Sequence, residues 1–249
     1  MFDKALLCPF VFVVIASMVS SCKHEAESQF PCGVSPHLLN PLTKDTTQFV
    51  FYLPYKWEKE TLRVYFIDIS SDSLKATTLA IANTWSKFGR IRFELAPSIV
   101  ESDIRVSFRE PNGYLSVIGN LAESAEYYRS ATLWLQDLDK CPAKEFNRVV
   151  LHEFGHSLAI AHELQSPAAR IDWDTSAVYE FYKCKYDWDR EKVRENLFTK
   201  INTNEFTVFD EKSIMIYAVP GFLTHNTVSI PWPDGLSAHD KRSFHKYYK

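Results

Sequence analysis

The stretch HEFGHSLAIAHELQSP begins at His152 and places histidines and a glutamate at spacings that suit a metal site. His152 and His156 are four residues apart, so on an α-helix their imidazoles project side by side and can bind one Zn²⁺. Glu153 directly follows the first histidine and can accept a proton from the water that such an ion activates. This HExxH pattern is typical of zinc peptidases, and a chance match on an exposed helix face is the alternative.

His162 is the third candidate ligand, but a continuous helix would keep it away from the other two. At 1.5 Å per residue, the helix would place His162 about 15 Å from His152 along its axis. A shared ion therefore requires the helix to end and the chain to turn back, which glycine allows in the pattern HExxHxxGxxH. This chain has Ala159 at that position. We expect Ala159 to adopt the left-handed conformation at a cost of about 1–2 kcal/mol.

A second motif, SIMIY at residues 213–217, follows about fifty residues after His162. The two motifs together resemble those of the astacin family of metzincin zinc endopeptidases, particularly its short bacterial-type members. HEFGHSLAIAHELQSP is similar to the family's HExxHxxGxxHE followed by glutamine, serine and proline. SIMIY is similar to its SxMxY methionine turn, although the family often has histidine where Ile216 stands. The similarity extends from about residue 46 to the C-terminus and includes TWSKFGRIRFEL, DIRVSF and LSAHDK.

The resemblance implies a role for each residue of these motifs. The zinc ligands would be three histidines: His152, His156 and His162. Glu153 would be the general base that activates water. Tyr217 would ligate zinc and swing away to stabilise the oxyanion, with a core tyrosine as the alternative. Met215 would form a hydrophobic floor beneath the ion, and Glu163 matches a residue that in astacins pairs with the processed N-terminus.

The elements that must position these residues are also visible in the sequence. Alternating apolar residues predict strands in TLRVYFI, IRFEL, DIRVSF and ATLWLQDL. Helical patterns follow the possible N-caps at Ser71–Ser73, run through EFNRVVLHEFGHSL and begin again at Ser237 and Asp240. We predict that ATLWLQDL, residues 131–138, is the sheet edge along which an extended substrate adds a strand.

These elements predict an α+β fold, and the resemblance implies the metzincin form of it. Its N-terminal lobe, approximately residues 46–163, would hold a mixed twisted sheet and two long helices. A smaller, irregular C-terminal lobe, approximately residues 164–249, would end in a last helix. The active-site cleft would lie between the lobes of this catalytic domain.

Residues 1–22 are typical of a signal peptide. Lys4 precedes an apolar stretch over residues 5–19, which is shorter than the roughly 20 apolar residues of a spanning helix. Its end, Val19-Ser20-Ser21-Cys22, resembles a bacterial lipobox, with an ordinary secretory signal as the alternative. We therefore expect an exported protein, either secreted or a cell-envelope lipoprotein at the outer membrane or surface. Its membrane contact would be a lipid anchor on Cys22.

Residues 23–45 are polar and turn-rich, which predicts a tether or short pro-segment. We expect a disulfide between Cys141 and Cys184, since both lie in the folded region. That pairing leaves Cys32, in QFPCGVSP, which resembles the cysteine switch PRCGxPD of matrix metalloproteinase pro-segments. The arginine is absent, and Ser35-Pro36 replaces Pro-Asp. Since thiolate is a strong zinc ligand, we predict that Cys32 caps the ion in a latent form. An intermolecular disulfide and an inert cysteine are the alternatives.

Composition and charge narrow the class of partner. The 249 residues are 46% hydrophobic, which is enough for a sizeable core, and Lys plus Arg number 28 against 31 Asp plus Glu. No basic block appears, so we expect no nucleic acid and instead protein or peptide substrates. The leading interpretation is an exported zinc metalloendopeptidase. The alternatives are a zinc-binding protein of the same fold that lacks turnover and acts as a binding module, and a lipoprotein whose histidines are only structural.

Overall fold

The computed structural model describes residues 32–34, 51–201 and 208–249. Its strands are β1 (Cys32–Val34), β2 (Thr61–Phe66), β3 (Arg92–Leu95), β4 (Ile104–Ser107), β5 (Tyr114–Ser116) and β6 (Leu133–Leu135). Its α-helices are α1 (Asp72–Ala82), α2 (Ala143–Ser157), α3 (Thr175–Tyr186), α4 (Arg190–Val193) and α5 (Ala238–Tyr247). The expected signal peptide, its lipobox and most of the tether lie outside the described residues.

The described strands form one sheet in the order β1–β5–β6–β4–β2–β3. β5 runs antiparallel to β6, and the other neighbouring pairs are parallel. The expected α+β fold with a mixed sheet is therefore confirmed. Leu62, Val64 and Phe66 of β2 are buried and alternate with more exposed residues, because successive side chains of a strand point to opposite faces.

The edge of the sheet is not where the sequence predicted it. The strand within ATLWLQDL is β6, which lies between β5 and β4, so the expected edge position of residues 131–138 is wrong. Leu133, Trp134 and Leu135 are all buried, and such a continuous apolar run is typical of a strand covered on both faces. β5 lies next to β6 and runs antiparallel to it. β1 pairs with the other edge of β5, where Cys32 lies opposite Tyr114.

The two long helices of the N-terminal half begin and pack as the sequence indicates. α1 is capped by Ser71, whose Oγ accepts a hydrogen bond from the Leu74 amide at 3.3 Å. The apolar pattern after α1 continues in a short 3₁₀ turn, Trp85–Phe88. The Trp85 indole in that turn donates a hydrogen bond to the Leu151 carbonyl of α2 at 3.0 Å. This bond fixes α2, the helix of the HExxH motif, against the rest of the core.

The last helix, α5, begins with the expected capping box. Ser237 Oγ accepts a hydrogen bond from the Asp240 amide at 2.9 Å, and Asp240 Oδ2 accepts one from the Ser237 amide at 2.8 Å. The segment SIMIY lies between two apolar clusters of the fold. Ile214 and Met215 belong to the cluster around the sheet, and Ile216 and Tyr217 belong to the cluster around α3.

The expected disulfide between Cys141 and Cys184 is wrong. Cys141 is a free thiol just before α2, where its Sγ lies 3.5 Å from the Tyr114 hydroxyl. Cys184, on α3, is disulfide-bonded to a cysteine other than Cys141. The sequence showed only that both cysteines belong to the folded region, and pairing depends on distances that it does not contain.

Among the described helices, none combines the length and apolar character that crossing a bilayer requires.

Candidate metal centre

Helix α2 presents the first two histidines on one face. His152 and His156 lie one turn apart, and their ring centroids are 4.8 Å from each other. The residues of α2 from Val149 to Ser157 are all buried, so the histidines belong to the interior of the fold. An exposed helix face, which was the alternative for the HExxH pattern, is therefore excluded.

Ala159 makes the turn that brings His162 back to α2. Its φ is +65°, which confirms the predicted left-handed conformation. The Ile160 amide donates to the Gly155 carbonyl at 3.1 Å and the Ala159 amide to the His156 carbonyl at 2.9 Å. These two bonds form a Schellman motif, the common end of a helix that reverses its chain. Alanine therefore occupies the position where the family pattern has glycine without losing the geometry.

The three predicted ligands meet in the interior. One ring nitrogen from each of His152, His156 and His162 lies within 4.8 Å of the others. The Nε2 atoms of His156 and His162 are 3.0 Å apart. Zinc binds imidazole nitrogen at about 2.0–2.1 Å, so small rotations of the rings bring all three nitrogens to one ion.

The hydrogen bonds of the rings also fit a metal. His152 Nδ1 donates to the Ile214 carbonyl and His156 Nδ1 to the Ile160 carbonyl, each at 2.7 Å. These bonds place the ring proton on Nδ1 and leave a lone pair on Nε2. His152 Nε2 is buried and has no hydrogen-bond partner. A buried lone pair of this kind, directed at two other imidazoles, is what a zinc ion would satisfy.

Burial keeps these imidazoles neutral at physiological pH. It lowers the pKa of His156 to about 4, and it lowers the pKa of His152 and His162 well below the usual value. Neighbouring imidazoles lower the last two further. Since only the neutral ring has a lone pair for a metal, these shifts favour zinc binding.

Glu153 and Tyr217 lie in the same buried region as the histidines. Glu153 is fully buried on α2, next to the first ligand. The Tyr217 ring centroid lies 4.5 Å from that of His162 and 6.1 Å from that of His152. Met215 is buried, and its side chain packs so closely on Gly155 that a Cβ added there would lie 2.4 Å from the methionine sulfur. Met215 thus contacts α2 between its two histidines.

Glu163 connects the third ligand to the segment before SIMIY. Its amide donates to the Met215 carbonyl at 2.9 Å, and its Oε1 accepts from the Asp210 amide at 2.9 Å. Burial raises its pKa to about 8. These two hydrogen bonds therefore hold Glu163 against the segment that contains Asp210 and Met215. The pairing with a processed N-terminus that the resemblance implied concerns residues outside the described ranges.

Asp240 is a residue of this centre whose role was not evident from the sequence. Its carboxylate accepts hydrogen bonds from Ser213 Oγ at 2.7 Å and from the Ile214 amide at 2.8 Å. The Ile214 carbonyl, in turn, accepts from His152 Nδ1. The capping box marked Asp240 as a helix start, but nothing in the sequence indicated that the same carboxylate also holds the methionine turn.

Comparisons with known proteins agree with this geometry. The model of the astacin peptidase family matches residues 50–232. A solved structure of myroilysin is 30% identical, with a TM-score of 0.72, and the match covers 80% of this chain and 97% of that one. A second myroilysin structure is 29% identical, with a TM-score of 0.58, and the match covers 86% of this chain and 93% of that one.

A more distant match shares the fold. High choriolytic enzyme 1, a hatching enzyme zinc-protease from the medaka fish Oryzias latipes, is 18% identical with a TM-score of 0.50. That match covers 78% of this chain and 94% of the hatching enzyme. The search of curated protein sequences found no match.

Proposed function

Because this chain belongs to the astacin family of zinc metalloendopeptidases, we propose that Glu153 is its general base and Tyr217 its oxyanion donor in the hydrolysis of peptide bonds. The observation that carries the proposal is that three buried histidines converge, and that Glu153 lies on the same helix as two of them. Proteins and peptides are the substrates that this family acts on.

Each residue of the centre has a distinct task in this proposal. Zinc, when bound, supplies Lewis acidity that makes water more acidic and polarises a carbonyl group. Glu153 accepts the proton of the attacking water and passes it to the leaving amine. Tyr217 donates a hydrogen bond to the oxygen on which negative charge develops, and in a buried site such a bond is stronger than in water. The Nδ1 bonds of His152 and His156 keep both rings in the orientation that ligation needs.

Removal of the Glu153 carboxylate tests this assignment. Glu153→Ala and the isosteric Glu153→Gln should retain about one zinc per chain and lose casein cleavage, because the ligands remain while the base is gone. The exposed Glu211, changed to alanine, is the matched control and should keep full activity. Full activity of Glu153→Ala would exclude the proposed base. A wild-type protein that binds zinc but cleaves nothing, even after activation, would instead be a binding module.

We propose that substrates add to the outer edge of β5 rather than to β6. β5 is the antiparallel strand at this side of the sheet, and the only described strand on its outer side is β1. A three-residue strand such as β1 can be replaced by an incoming peptide, since main-chain hydrogen bonds are the same for any sequence. Proline in the peptide at positions that must donate these bonds should therefore abolish cleavage.

We also propose that Cys32 holds the enzyme latent, as the sequence suggested. The support is the pairing of Cys32, Gly33 and Val34 with Tyr114, Leu115 and Ser116, which puts the backbone of this segment on the edge that a substrate would use. Full-length protein should then be weakly active. Cys32→Ala or treatment with a mercurial should activate it without cleavage. Cys141→Ala is the control, because Cys141 is a free thiol of the described region.

Two outcomes would contradict latency through Cys32. Equal activity of wild type and Cys32→Ala before any processing would mean that this cysteine does not block the site. The proposal also requires Cys32 to keep a free thiol. Since Cys141 is free and Cys8 leaves with the expected signal peptide, Cys184 would then pair with an unlipidated Cys22 or with a cysteine of a second molecule, and a disulfide between Cys184 and Cys32 would contradict latency. Peptide mapping of the disulfide of Cys184 decides this point directly.

We further propose that residues 1–22 direct export and that Cys22 carries lipid. The support is the short apolar stretch followed by Val19-Ser20-Ser21-Cys22. In a bacterial host the wild type should partition into the membrane fraction, and Cys22→Ala should be released in soluble form. A wild type that is already soluble after export would point to an ordinary secretory signal.

A further inference from the structure

A cleft lined by positively charged side chains lies where the 3₁₀ turn after α1 meets the last helix, α5. It has a volume of about 580 Å³, and its lining residues are Lys87, Phe88, Gly89, Arg90, His245 and Lys249. Two lysines, an arginine and a histidine give it nitrogen donors that carry, or can accept, a positive charge. None of these six residues belongs to the metal centre, so this basic cleft is a separate feature of the fold.

The charge of the basic cleft is local and does not reflect the whole chain. Over the 249 residues, 28 Lys plus Arg are outnumbered by 31 Asp plus Glu. Residues 84–92 nevertheless contain three Lys or Arg, residues 241–249 contain four, and neither segment contains Asp or Glu. The fold brings these two segments together at the cleft. A concentration of one sign of charge in a concave surface attracts ligands of the opposite sign.

Helix α5 presents its cations to solvent and buries its one carboxylate side chain. Asp240 is buried and bonded to the methionine turn, and Phe244 is buried in the core. Lys241 and His245 lie one turn apart and therefore project from the same face of the helix. The ammonium of Lys241 lies 5.4 Å from the ring centroid of Phe88. Lys241 thus adds a further cation at the rim of the basic cleft.

Three contacts between the two segments fix the shape of the cleft. His245 Nδ1 donates to the Phe88 carbonyl at 3.2 Å, and the Arg90 amide donates to the Tyr248 carbonyl at 2.7 Å. Gly89 packs so closely on the same chain end that an added Cβ would lie 2.7 Å from the Tyr248 carbonyl oxygen. Since a carbonyl only accepts, the first bond places the His245 ring proton on Nδ1. The donors of the cleft are therefore arranged before a ligand arrives.

The cations of the cleft are weakly neutralised by the described part of the chain. Arg90 Nη1 lies 3.4 Å from Glu60 Oε1, and the two side chains are 70% and 59% exposed. An ion pair this exposed contributes little, so a better anion can displace Glu60. Lys87, Lys241 and Lys249 form no ion pair with any described residue. The cleft consequently keeps most of its positive charge for a ligand.

We propose that the basic cleft binds a phosphate group, either free or carried by the headgroup of an anionic lipid. The planar donors of a guanidinium match phosphate oxygens, and charge-assisted hydrogen bonds are about twice as strong as neutral ones. Several phosphate oxygens can accept at once, which suits donors that converge from two segments. Phe88 is the one large apolar side chain among the six lining residues, so the cleft favours a charged group over an apolar ligand. Binding of phosphate here does not depend on the proposed peptidase function.

Inorganic phosphate tests the site in zinc-loaded, full-length protein. At matched ionic strength, phosphate should raise the Tm of the wild type above its value in chloride, because a ligand of the folded state stabilises that state. The cleft variant, with Lys87→Gln, Arg90→Gln and Lys249→Gln together, should lose this rise. All three side chains are exposed, and the bond from the Arg90 amide to Tyr248 survives the substitution, so this variant should fold.

Vesicles test the lipid headgroup as the source of the phosphate. Every arm uses Cys22→Ala protein, so that no lipid anchor contributes. At low salt, more protein should sediment with vesicles that contain phosphatidylglycerol than with pure phosphatidylcholine. The cleft variant should bind the anionic vesicles about 100-fold more weakly, since each cation near an anionic membrane contributes about a fivefold factor. Casein cleavage should be unchanged, because the substituted residues lie outside the metal centre.

A control variant removes the same number of positive charges elsewhere on the surface. Lys140→Gln, Lys144→Gln and Lys183→Gln together change side chains that are 68%, 77% and 65% exposed, and both kinds of binding should persist. A rise in Tm without vesicle binding identifies free phosphate as the ligand, and binding to anionic vesicles identifies the headgroup. The absence of both responses would overturn the proposal, as would responses that the cleft variant retains or that both triple variants lose equally.

Discussion

Removal of the Asp240 carboxylate should destabilise the fold and weaken zinc binding together, because this side chain joins the last helix to the methionine turn. It accepts hydrogen bonds from Ser213 Oγ at 2.7 Å, from the Ile214 amide at 2.8 Å and from the Ser237 amide at 2.8 Å. Asp240, Ser213 and Ile214 are fully buried. In Asp240→Ala, water cannot readily replace the acceptor that the Ser213 hydroxyl and the Ile214 amide lose.

The size of the effect follows from the two buried donors. A buried donor without an acceptor costs about 1–3 kcal/mol. The loss is partly offset because burial of the carboxylate is itself unfavourable, as the raised pKa of Asp240 indicates. Two such donors together cost about 2–6 kcal/mol, and with this offset we expect Asp240→Ala to lower the free energy of unfolding by about 2–4 kcal/mol. For a chain of this size, that loss lowers Tm by about 5–15 °C.

Urea unfolding and a chelator competition measure the two parts of this prediction. Zinc affinity should fall about 10- to 100-fold, because the Ile214 carbonyl that orients His152 is no longer fixed. Ser237→Ala is the control. It removes the cap of α5 but leaves the bond from Asp240 to the Ile214 amide intact, and it should cost about 1 kcal/mol with little change in zinc affinity. If Asp240→Ala were no more harmful than Ser237→Ala in both assays, the assigned role of Asp240 would be refuted.

Three further predictions concern the centre itself. Tyr217→Phe should retain zinc while kcat falls about 10- to 1000-fold, as expected for the loss of one oxyanion donor; an unchanged kcat would make Tyr217 a core residue. Ala159→Gly should change the free energy of unfolding by less than about 1 kcal/mol, since relief of the left-handed alanine is offset by chain entropy and a lost buried methyl group. Its zinc affinity should be equal or better, and a tenfold loss in a chelator competition would contradict this. In metal-free protein, the pKa of about 4 for His156 lies below the ordinary 6.5, so the unfolded chain binds more protons than the folded one between these values. Stability should therefore fall by about 3 kcal/mol as the pH drops from 6.5 to 4, and urea midpoints that do not change over this range would exclude the buried neutral state.

The parts of the centre that follow from local geometry were predictable from the sequence. Two histidines four residues apart must share a helix face, and a third histidine ten residues after the first can join them only if the helix ends. That argument required a left-handed residue at Ala159, and the structure has it there with φ of +65°. The capping box at Ser237 and Asp240 is equally local and was also correct.

The parts that depend on distant contacts were not predictable in the same way. The alternation in ATLWLQDL indicates a strand but not its neighbours, and the neighbours place β6 inside the sheet. Similarly, Cys141 and Cys184 both belong to the folded region, but Cys141 is free and Cys184 is bonded to a different cysteine. The second role of Asp240 arises from a contact with Ile214, and no spacing within LSAHDK indicates it.

The methionine turn shows why the ligands alone do not define this site. The Ile214 carbonyl orients His152, Met215 packs on Gly155 of α2, and the Met215 carbonyl accepts the Glu163 amide that follows the third histidine. The first ligand, helix α2 and the residue after the third ligand are therefore each held by Ile214 or Met215, and neither of these residues provides a zinc ligand. Since Asp240 holds this turn from α5, the C-terminal helix is mechanically linked to the first ligand. A chain that kept all the histidines but lost α5 would keep the motif and lose the geometry that makes it a metal site.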